Sequence, residues 1–190
     1  IRDGLSQRTI MVTGAGGSIG SELCRQIARL EPTKLVLLDN GEYNLYSIEL
    51  ELRNQYPMIQ IDACIRDVRD VTAINKVFEI FRPQVVFHAA AFKHVPLLEH
   101  QVREAVYNNV LGTRNVARAA DRHGTSEFVL ISTDKAVNPS NVMGASKRMA
   151  EIFCQNLNAR SDTKFITVRF GNVLGSAGSV IPLFHKQIAA

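Results

Sequence analysis

Thr13-Gly14-Ala15-Gly16-Gly17-Ser18-Ile19-Gly20 decides how this chain folds, because it joins an apolar stretch, Thr9 to Thr13, to a helical one, Ile19 to Leu30. In the helical stretch Ile19, Leu23 and Ile27 recur on one face, whereas Thr9 to Thr13 and the next apolar run, Lys34 to Asp39, have strand length. Gly14, Gly17 and Gly20 allow a tight turn, close approach of the backbone to a pyrophosphate, and close packing of helix on sheet. Ser18 and Ile19 then open a helix whose N-terminus attracts the phosphates. No lysine follows the last glycine, which excludes a P-loop.

Outward from that turn the same alternation continues. A helix is predicted over Tyr43 to Asn54, a strand near Ile59 to Ile65, a helix from Asp70 to Phe81 and a strand from Val85 to Ala89. A long helical stretch follows, Leu97 to Arg122, closed by Gly124, then the strand Phe128 to Ser132, a helix from Ala145 to Asn158 and the strand Lys164 to Phe170. Continuous apolar strands joined by amphipathic helices predict an α/β fold, a doubly wound parallel sheet of the Rossmann type covered on both faces. With no linker or repeat, residues 1–190 read as a single domain with a glycine-rich exit over Gly171 to Gly178.

The composition agrees. The chain has 190 residues, 46% hydrophobic and 21% charged, which excludes disorder, collagen and a disulfide scaffold. No apolar run approaches the ~20 residues that span a bilayer, and the N-terminus lacks the build of a signal peptide, so a soluble piece is expected. Ile1 at the start and Ala190 inside an apparently unfinished helix suggest an excised fragment. The net charge of +4 is uneven: residues 135 to 190 hold seven basic and two acidic side chains, net +5, which leaves residues 1 to 134 at −1. No basic run is interleaved with aromatics and there is no Trp, so nucleic acid is not an expected partner. Cys24, Cys64 and Cys154 are odd in number and far apart, which fits inert thiols in a reducing compartment. His88, His94 and His100 recur every six residues, a spacing that does not place a metal pair on one helix face, so no metal is expected.

Asp39 stands nineteen residues past Gly20, at the end of the second strand, where a carboxylate can accept hydrogen bonds from adenosine ribose hydroxyls. A negative charge there repels a 2′-phosphate, so NAD is favoured over NADP; the alternative is that Asp39 and Asn40 merely cap a turn.

The spacing Gly-x-x-Gly-x-x-Gly resembles that of the short-chain dehydrogenase/reductase superfamily. Asp67-Val68 resembles the pair that holds adenine there, and His88-Ala89-Ala90-Ala91 the small-residue stretch beside the cofactor ribose. Asn109, within Asn108 to Thr113, resembles the superfamily's structural helix asparagine. Members usually carry Ser or Thr after the fifth strand and then Tyr-x-x-x-Lys, the lysine lowering the tyrosine's pKa and binding the nicotinamide ribose. Here Thr133-Asp134-Lys135 is followed by Met143-Gly144-Ala145-Ser146-Lys147, with Met where Tyr is expected. A thioether cannot act as a base, so the chain is either a non-catalytic cofactor binder or performs chemistry that needs no phenol there. Elimination of water requires a base for the carbon acid and an acid for the leaving hydroxyl, and Asp134 with Lys135 supplies such a pair. As an isolated dipeptide it would read as a solvated turn.

Taken together, Thr13 to Glu22, Ala89 to Leu98, Ser132 to Glu151 and Arg169 to Ile188 resemble the polysaccharide-biosynthesis nucleotide-sugar 4,6-dehydratases acting on UDP-N-acetylglucosamine. The resemblance implies NAD as cofactor, a UDP-sugar as substrate and a homo-oligomer. It implies hydride transfer from sugar C4, loss of the C5 proton and C6 hydroxyl as water, and return of the hydride to C6. Lys135 would be the base, Asp134 the acid, Lys147 the ribose ligand and Thr133 the holder of the C4 hydroxyl. Met143 would mark the subtype of the large membrane-linked members, which implies a cytoplasmic location, either as a cytoplasmic protein or as the cytoplasmic domain of an inner-membrane parent. The cofactor-binding set is Gly14, Gly17, Ser18, Ile19, Gly20, Asp39, Asn40, Asp67, Val68, Ala89, Ala90, Ala91 and Lys147. Substrate contacts are expected from Lys93 and His94 at the C-terminal edge of the sheet, and from Asn172, Ser176 and Ser179. Family members continue well beyond this chain, so a substrate-binding portion would begin near residue 171 and be truncated here. A nucleotide-sugar epimerase and a catalytically silent NAD-binding module are the competing readings; Asp134-Lys135 speaks against the first and Met143 favours the second.

Overall fold

The computed structural model describes residues 2–171 and 173. After a short helix, α1 (Arg2–Leu5), the described elements are β1 (Thr9–Thr13), α2 (Ser18–Ala28), β2 (Lys34–Asp39), α3 (Glu42–Gln55), β3 (Gln60–Ile65) and α4 (Val71–Phe81). They continue with β4 (Val85–His88), α5 (Val95–Glu99), α6 (Val102–Ala105), a π-helix (Val106–Gly112), α7 (Thr113–Arg122), β5 (Glu127–Thr133), α8 (Val142–Asn158) and β6 (Lys164–Phe170). The six strands form one parallel sheet in the order β3-β2-β1-β4-β5-β6, the doubly wound Rossmann arrangement expected from the alternation. Strand order reverses between β1 and β4, and the crevice beyond their C-terminal ends is where ligands of such sheets bind.

Alternate residues of the central strands β1, β2 and β4 enter two separate cores, which is why those runs are apolar on both faces. Met11, Val36, Leu38, Val86, Phe128 and Leu130 face α4, α7 and α8. Ile10, Val12, Leu35, Leu37, Ile61 and Val85 face α2 and α3. A fully buried side chain of this kind contributes about 1.5–3 kcal/mol, so both faces hold the sheet rigid beneath the crevice.

Two boundaries move for a capping reason. Asp70 is the N-cap of α4, its carboxylate accepting from the Ala73 N–H at 2.9 Å, and Asn141 caps α8, its Oδ1 accepting from the Gly144 N–H at 2.8 Å. The cap at Asn141 starts α8 three residues before Ala145. The long helix predicted from Leu97 to Arg122 is a correction: the segment is α5, α6, the π-helix and α7 in succession. Gln101 leaves helical geometry at φ −134°, ψ 51° and separates α5 from α6. Neither glycine nor proline marks that break in the sequence. The π-helix ends at Gly112, where a Cβ would come within 2.7 Å of the Val68 side chain.

Candidate active site

Three cavities line the C-terminal edge of the sheet, and Ala89, Ala91 and Phe92 border all of them. The largest, about 840 Å³, lies between the glycine turn and α5, the second, about 140 Å³, beside Asp39 and Asp67, and the third, about 230 Å³, over Thr133 and Lys147. The glycine turn is shaped by what it excludes. Gly14 has φ +71°, and a Cβ on it would lie 2.6 Å from the Ala90 nitrogen; a Cβ on Gly20 would overlap the Gly14 carbonyl oxygen. Gly16, outside the predicted trio, is as constrained, since its Cβ would meet that of Asn44 at 2.7 Å, whereas one on Gly17 would meet only the Gly14 oxygen at 3.3 Å. The Gly14 N–H donates to the Leu38 carbonyl at 2.8 Å, which folds the turn onto the end of β2. Gly17 caps α2, and Gly14, Gly17, Ser18, Ile19 and Gly20 line the large cleft at a helix N-terminus, where N–H groups lack intrahelical acceptors.

At the second cavity Asp39 spans two loops. Its Oδ2 accepts from the Gly16 N–H at 2.9 Å and its Oδ1 from the Gly41 N–H at 2.8 Å. Asn40, Arg66, Asp67, Val68 and Ala90 also line it. Hydrogen bonds from Arg69, and one from Asn40, hold the Asp67 carboxyl below the usual carboxylate range. The donors and acceptors present fit a dinucleotide: a side-chain-free turn at a helix N-terminus suits a diphosphate, the carboxylates of Asp39 and Asp67 suit hydroxyl and amine donors, and Ala89 to Ala91 form a small-residue stretch.

The third cavity is lined by Ser132, Thr133, Lys135, Met143 and Lys147, and also by Lys93. Thr133 Oγ1 donates to Asp134 Oδ1 at 2.8 Å, and Lys135 Nζ reaches the same oxygen at 3.3 Å. These bonds lower the Asp134 pKa, first the Thr133 hydroxyl and then Lys135. A Cβ on Gly144 would overlap the Lys135 carbonyl oxygen, so glycine lets the start of α8 close against this turn. Met143 is buried with Leu98 and Ala105, an apolar contact that a phenol hydroxyl would not share. Lys147 is buried and donates to the Ile131 carbonyl at 2.6 Å; burial pulls its pKa down to about 8 against the opposing charge of Glu151. Lys93 and His94 line the large cleft, His94 as the N-cap of α5. Asn172, Ser176 and Ser179 lie outside the described residues.

Several contacts around the site go beyond the sequence reading, in which Asn109 is only a structural helix asparagine. Asn109, on the π-helix, accepts from the Phe92 N–H at 2.8 Å and donates to the Phe92 carbonyl at 3.1 Å and to Ser146 Oγ at 3.0 Å. His88 is buried between Thr13 Oγ1 at 2.6 Å and Thr113 Oγ1 at 2.9 Å. Thr113 already donates to the Asn109 carbonyl, so it accepts from His88 Nε2–H, and Nδ1 accepts from Thr13. Burial, with the charge of Lys147, drops the His88 pKa to about 3, so the ring is neutral. Glu151, fully buried, accepts from Ser132, Arg148 and Arg169, which accounts for two of the basic residues in the last third. Burial opposes its ionisation, but those donors outweigh it and hold the carboxyl at about 2. Burial likewise pushes the Cys154 thiol up to about 12. Among the described residues no cluster of His, Cys, Asp or Glu could hold a metal ion, and no helix is long and apolar enough to cross a membrane.

Comparison with known proteins places this geometry. The capsular polysaccharide biosynthesis protein CapD of Staphylococcus aureus is 57% identical over 97% of this chain, which covers 31% of that protein. The X-ray structure of Pen from Bacillus thuringiensis, 34% identical, superposes with a TM-score of 0.91 over 97% of this chain and 58% of that one. The Bordetella bronchiseptica enzyme WbmG, solved in complex with NAD, shares the fold at 24% identity and a TM-score of 0.78, covering 97% of this chain and 60% of that one. Two of the more distant relatives are named for a reaction. One is UDP-glucose 4-epimerase in Rickettsia bellii, 36% identical over 95% of this chain and 53% of that protein. The other is UDP-N-acetylglucosamine 4,6-dehydratase (inverting) in Campylobacter jejuni, 31% identical over 97% and 54%. The chain thus spans about a third of the length of CapD and about half that of the others. The family model described as polysaccharide biosynthesis protein matches residues 10–190, and the chain belongs to that family.

Proposed function

We propose that this chain is the NAD-binding portion of a nucleotide-sugar 4,6-dehydratase acting on UDP-N-acetylglucosamine. The observation that carries the reading is the Asp134–Lys135 pair, joined at 3.3 Å over the Thr133 hydroxyl, beside a cavity where Met143 stands in place of a phenol. A 4-epimerase needs acid/base work only at C4. A second acid/base pair is what elimination across C5 and C6 requires.

Gly14 to Gly20 would hold the diphosphate of NAD, Asp39 its adenosine ribose, Asp67 and Val68 its adenine, and Lys147 its nicotinamide ribose. When bound, NAD supplies reversible oxidation at the sugar C4. Thr133 orients the C4 hydroxyl, and Lys93 with His94 attracts the substrate's diphosphate from the large cleft. At rest the pair is ionic, since Thr133 and Lys135 lower the Asp134 pKa. Its neutral tautomer holds the same number of protons and arises by transfer across the 3.3 Å contact. In that form the Lys135 amine removes the C5 proton, and the Asp134 carboxyl gives its proton to the departing C6 hydroxyl. Water leaves and the ionic pair is restored, so charge and protons balance.

Incubation of the full-length parent protein with UDP-N-acetylglucosamine, followed by mass spectrometry, tests this reading. A product lighter by one water is expected, with deuterium at C5 when the solvent is deuterated water. A product of unchanged mass indicates epimerisation, and no product a silent module; either result overturns the proposal. Lys135→Ala is expected to lower dehydration by about 100-fold or more while NAD still binds.

A further inference from the structure

We infer that Glu151 is a positioning residue of the reaction site: its buried carboxylate locks β5, α8 and β6 together and keeps Lys147 a cation. The inference rests on the reading of Lys147 as a cofactor-site residue. Glu151 follows Lys147 by one helical turn, so both project from the same face of α8 into the protein. Its Oε1 accepts from Ser132 Oγ at 2.6 Å and Arg169 Nε at 2.9 Å, and its Oε2 from Arg169 Nη2 at 2.6 Å and Arg148 Nη1 at 3.1 Å. Each partner adjoins a working part of the cavity. Ser132 lies between Ile131, whose carbonyl receives Lys147 Nζ, and Thr133. Arg169 precedes Phe170 and Gly171, which line the same cavity. A shift of Glu151 would therefore misalign the Thr133 turn, Lys147 and the exit of β6 at once.

The charges give the second half of the argument. Arg148 and Arg169 exceed Glu151 by one positive charge, and Lys147 adds another. From β4 the buried His88 is neutral, and Cys154 on α8 is a neutral thiol. Lys93 and Lys135 reach the cavity from the loops after β4 and β5, and Asp134 beside them is more than half exposed. Glu151 is thus the buried anion that opposes the desolvation of Lys147. Removing it would leave three cations around one buried site, a condition that favours the neutral amine.

The test follows the Lys147 13Cε signal by NMR through a pH titration of the full chain, assigned by its loss in Lys147→Arg. The wild-type midpoint is expected near 8. Glu151→Gln should lower it by about one unit or more, whereas Glu151→Asp, which keeps the charge, should leave it in place despite a lower Tm. Arg169→Gln, which removes a cation instead, should raise the midpoint, so the direction of shift decides even if Glu151→Gln fails to fold. An unmoved midpoint in Glu151→Gln, or a fall in Arg169→Gln, would overturn the inference. The measurement needs neither cofactor nor sugar, so a failed dehydration assay bears only on the proposed function.

Discussion

The two ends of the crevice are built from different materials. At the turn between β1 and α2 the shape comes from backbone: Gly14, Gly16 and Gly20 have no room for a Cβ, and N–H groups bond to the Leu38 carbonyl and to Asp39. Around Lys147 the shape comes from side chains distant in sequence, with Ser132, Arg148 and Arg169 converging on Glu151 and Asn109 joining Phe92 to Ser146. A backbone site is fixed mainly by sterics. A side-chain site must cancel charges in a place that excludes water, so its geometry and its protonation are coupled.

The largest effect is expected where backbone meets backbone. In Gly20→Ala the new methyl overlaps the Gly14 carbonyl oxygen, which cannot yield as a side-chain tip can. The cost should reach the upper end of the ~1–3 kcal/mol typical of overpacking, or about 10 °C in Tm, and NAD binding should vanish from calorimetry. A Gly20→Ala protein with wild-type affinity would show that the turn tolerates what its geometry forbids. Gly144→Ala asks whether the division between the two ends is clean, because here a glycine serves the side-chain end. Its Cβ would overlap the Lys135 carbonyl oxygen and move Thr133 to Lys135 away from Lys147. Turnover should fall about 100-fold, while the Kd for NAD changes less than about twofold.

That contrast also explains what could be read from the sequence. The strands β1 and β2 were predictable residue for residue because both faces of the sheet are covered there and apolar runs end at turns, and β6 was too, although none of its described residues is buried. The glycine turn was readable because a close approach leaves a spacing behind, although Gly16 was missed: its neighbour is Asn44 on α3, which no local pattern reveals. The break at Gln101 and the π-helix were unreadable for a related reason. Apolar residues run through both, and the hydrogen bonds that Asn109 makes reach to residues 92 and 146. Glu151 left a trace that could have been followed. Lys147 and Glu151 occupy the same face of α8 as Ala150, Cys154 and Leu157, and two opposite charges on an apolar face call for buried partners.

Smaller effects sharpen the boundary between the two ends. Asn109 connects them, since Phe92 belongs to the wall of all three cavities and Ser146 to the turn of α8 before Lys147. Asn109→Ala leaves the Phe92 N–H and carbonyl without this partner, a cost of about 2 kcal/mol, seen as a fall of roughly 5 °C in Tm. His88 provides a pH signature. Its folded pKa is about 3 against 6.5 for the free side chain, so between those values only the unfolded chain takes the extra proton. Stability from this group is complete above pH 6.5 and declines as the pH falls toward 3, with a slope of at most about 1.4 kcal/mol per pH unit. Urea unfolding across that range should show the slope in the wild type and its loss in His88→Gln.

The smallest effect belongs to Asp39, where backbone and charge meet. Its carboxylate is held by the N–H groups of Gly16 and Gly41, so its position is set by the glycine turn, and it lines the second cavity, where the proposed function puts the adenosine ribose. Asp39→Asn keeps the shape and one acceptor but turns an amide NH₂ toward one of those donors, so NAD should bind a few-fold more weakly. The repulsion of a 2′-phosphate disappears at the same time, and the preference for NAD over NADP should fall about tenfold, about 1.4 kcal/mol. Titration calorimetry with both dinucleotides separates the two contributions. Equal losses for NAD and NADP would mean that Asp39 acts only by bracing Gly16 and Gly41, and that its charge takes no part in choosing the cofactor.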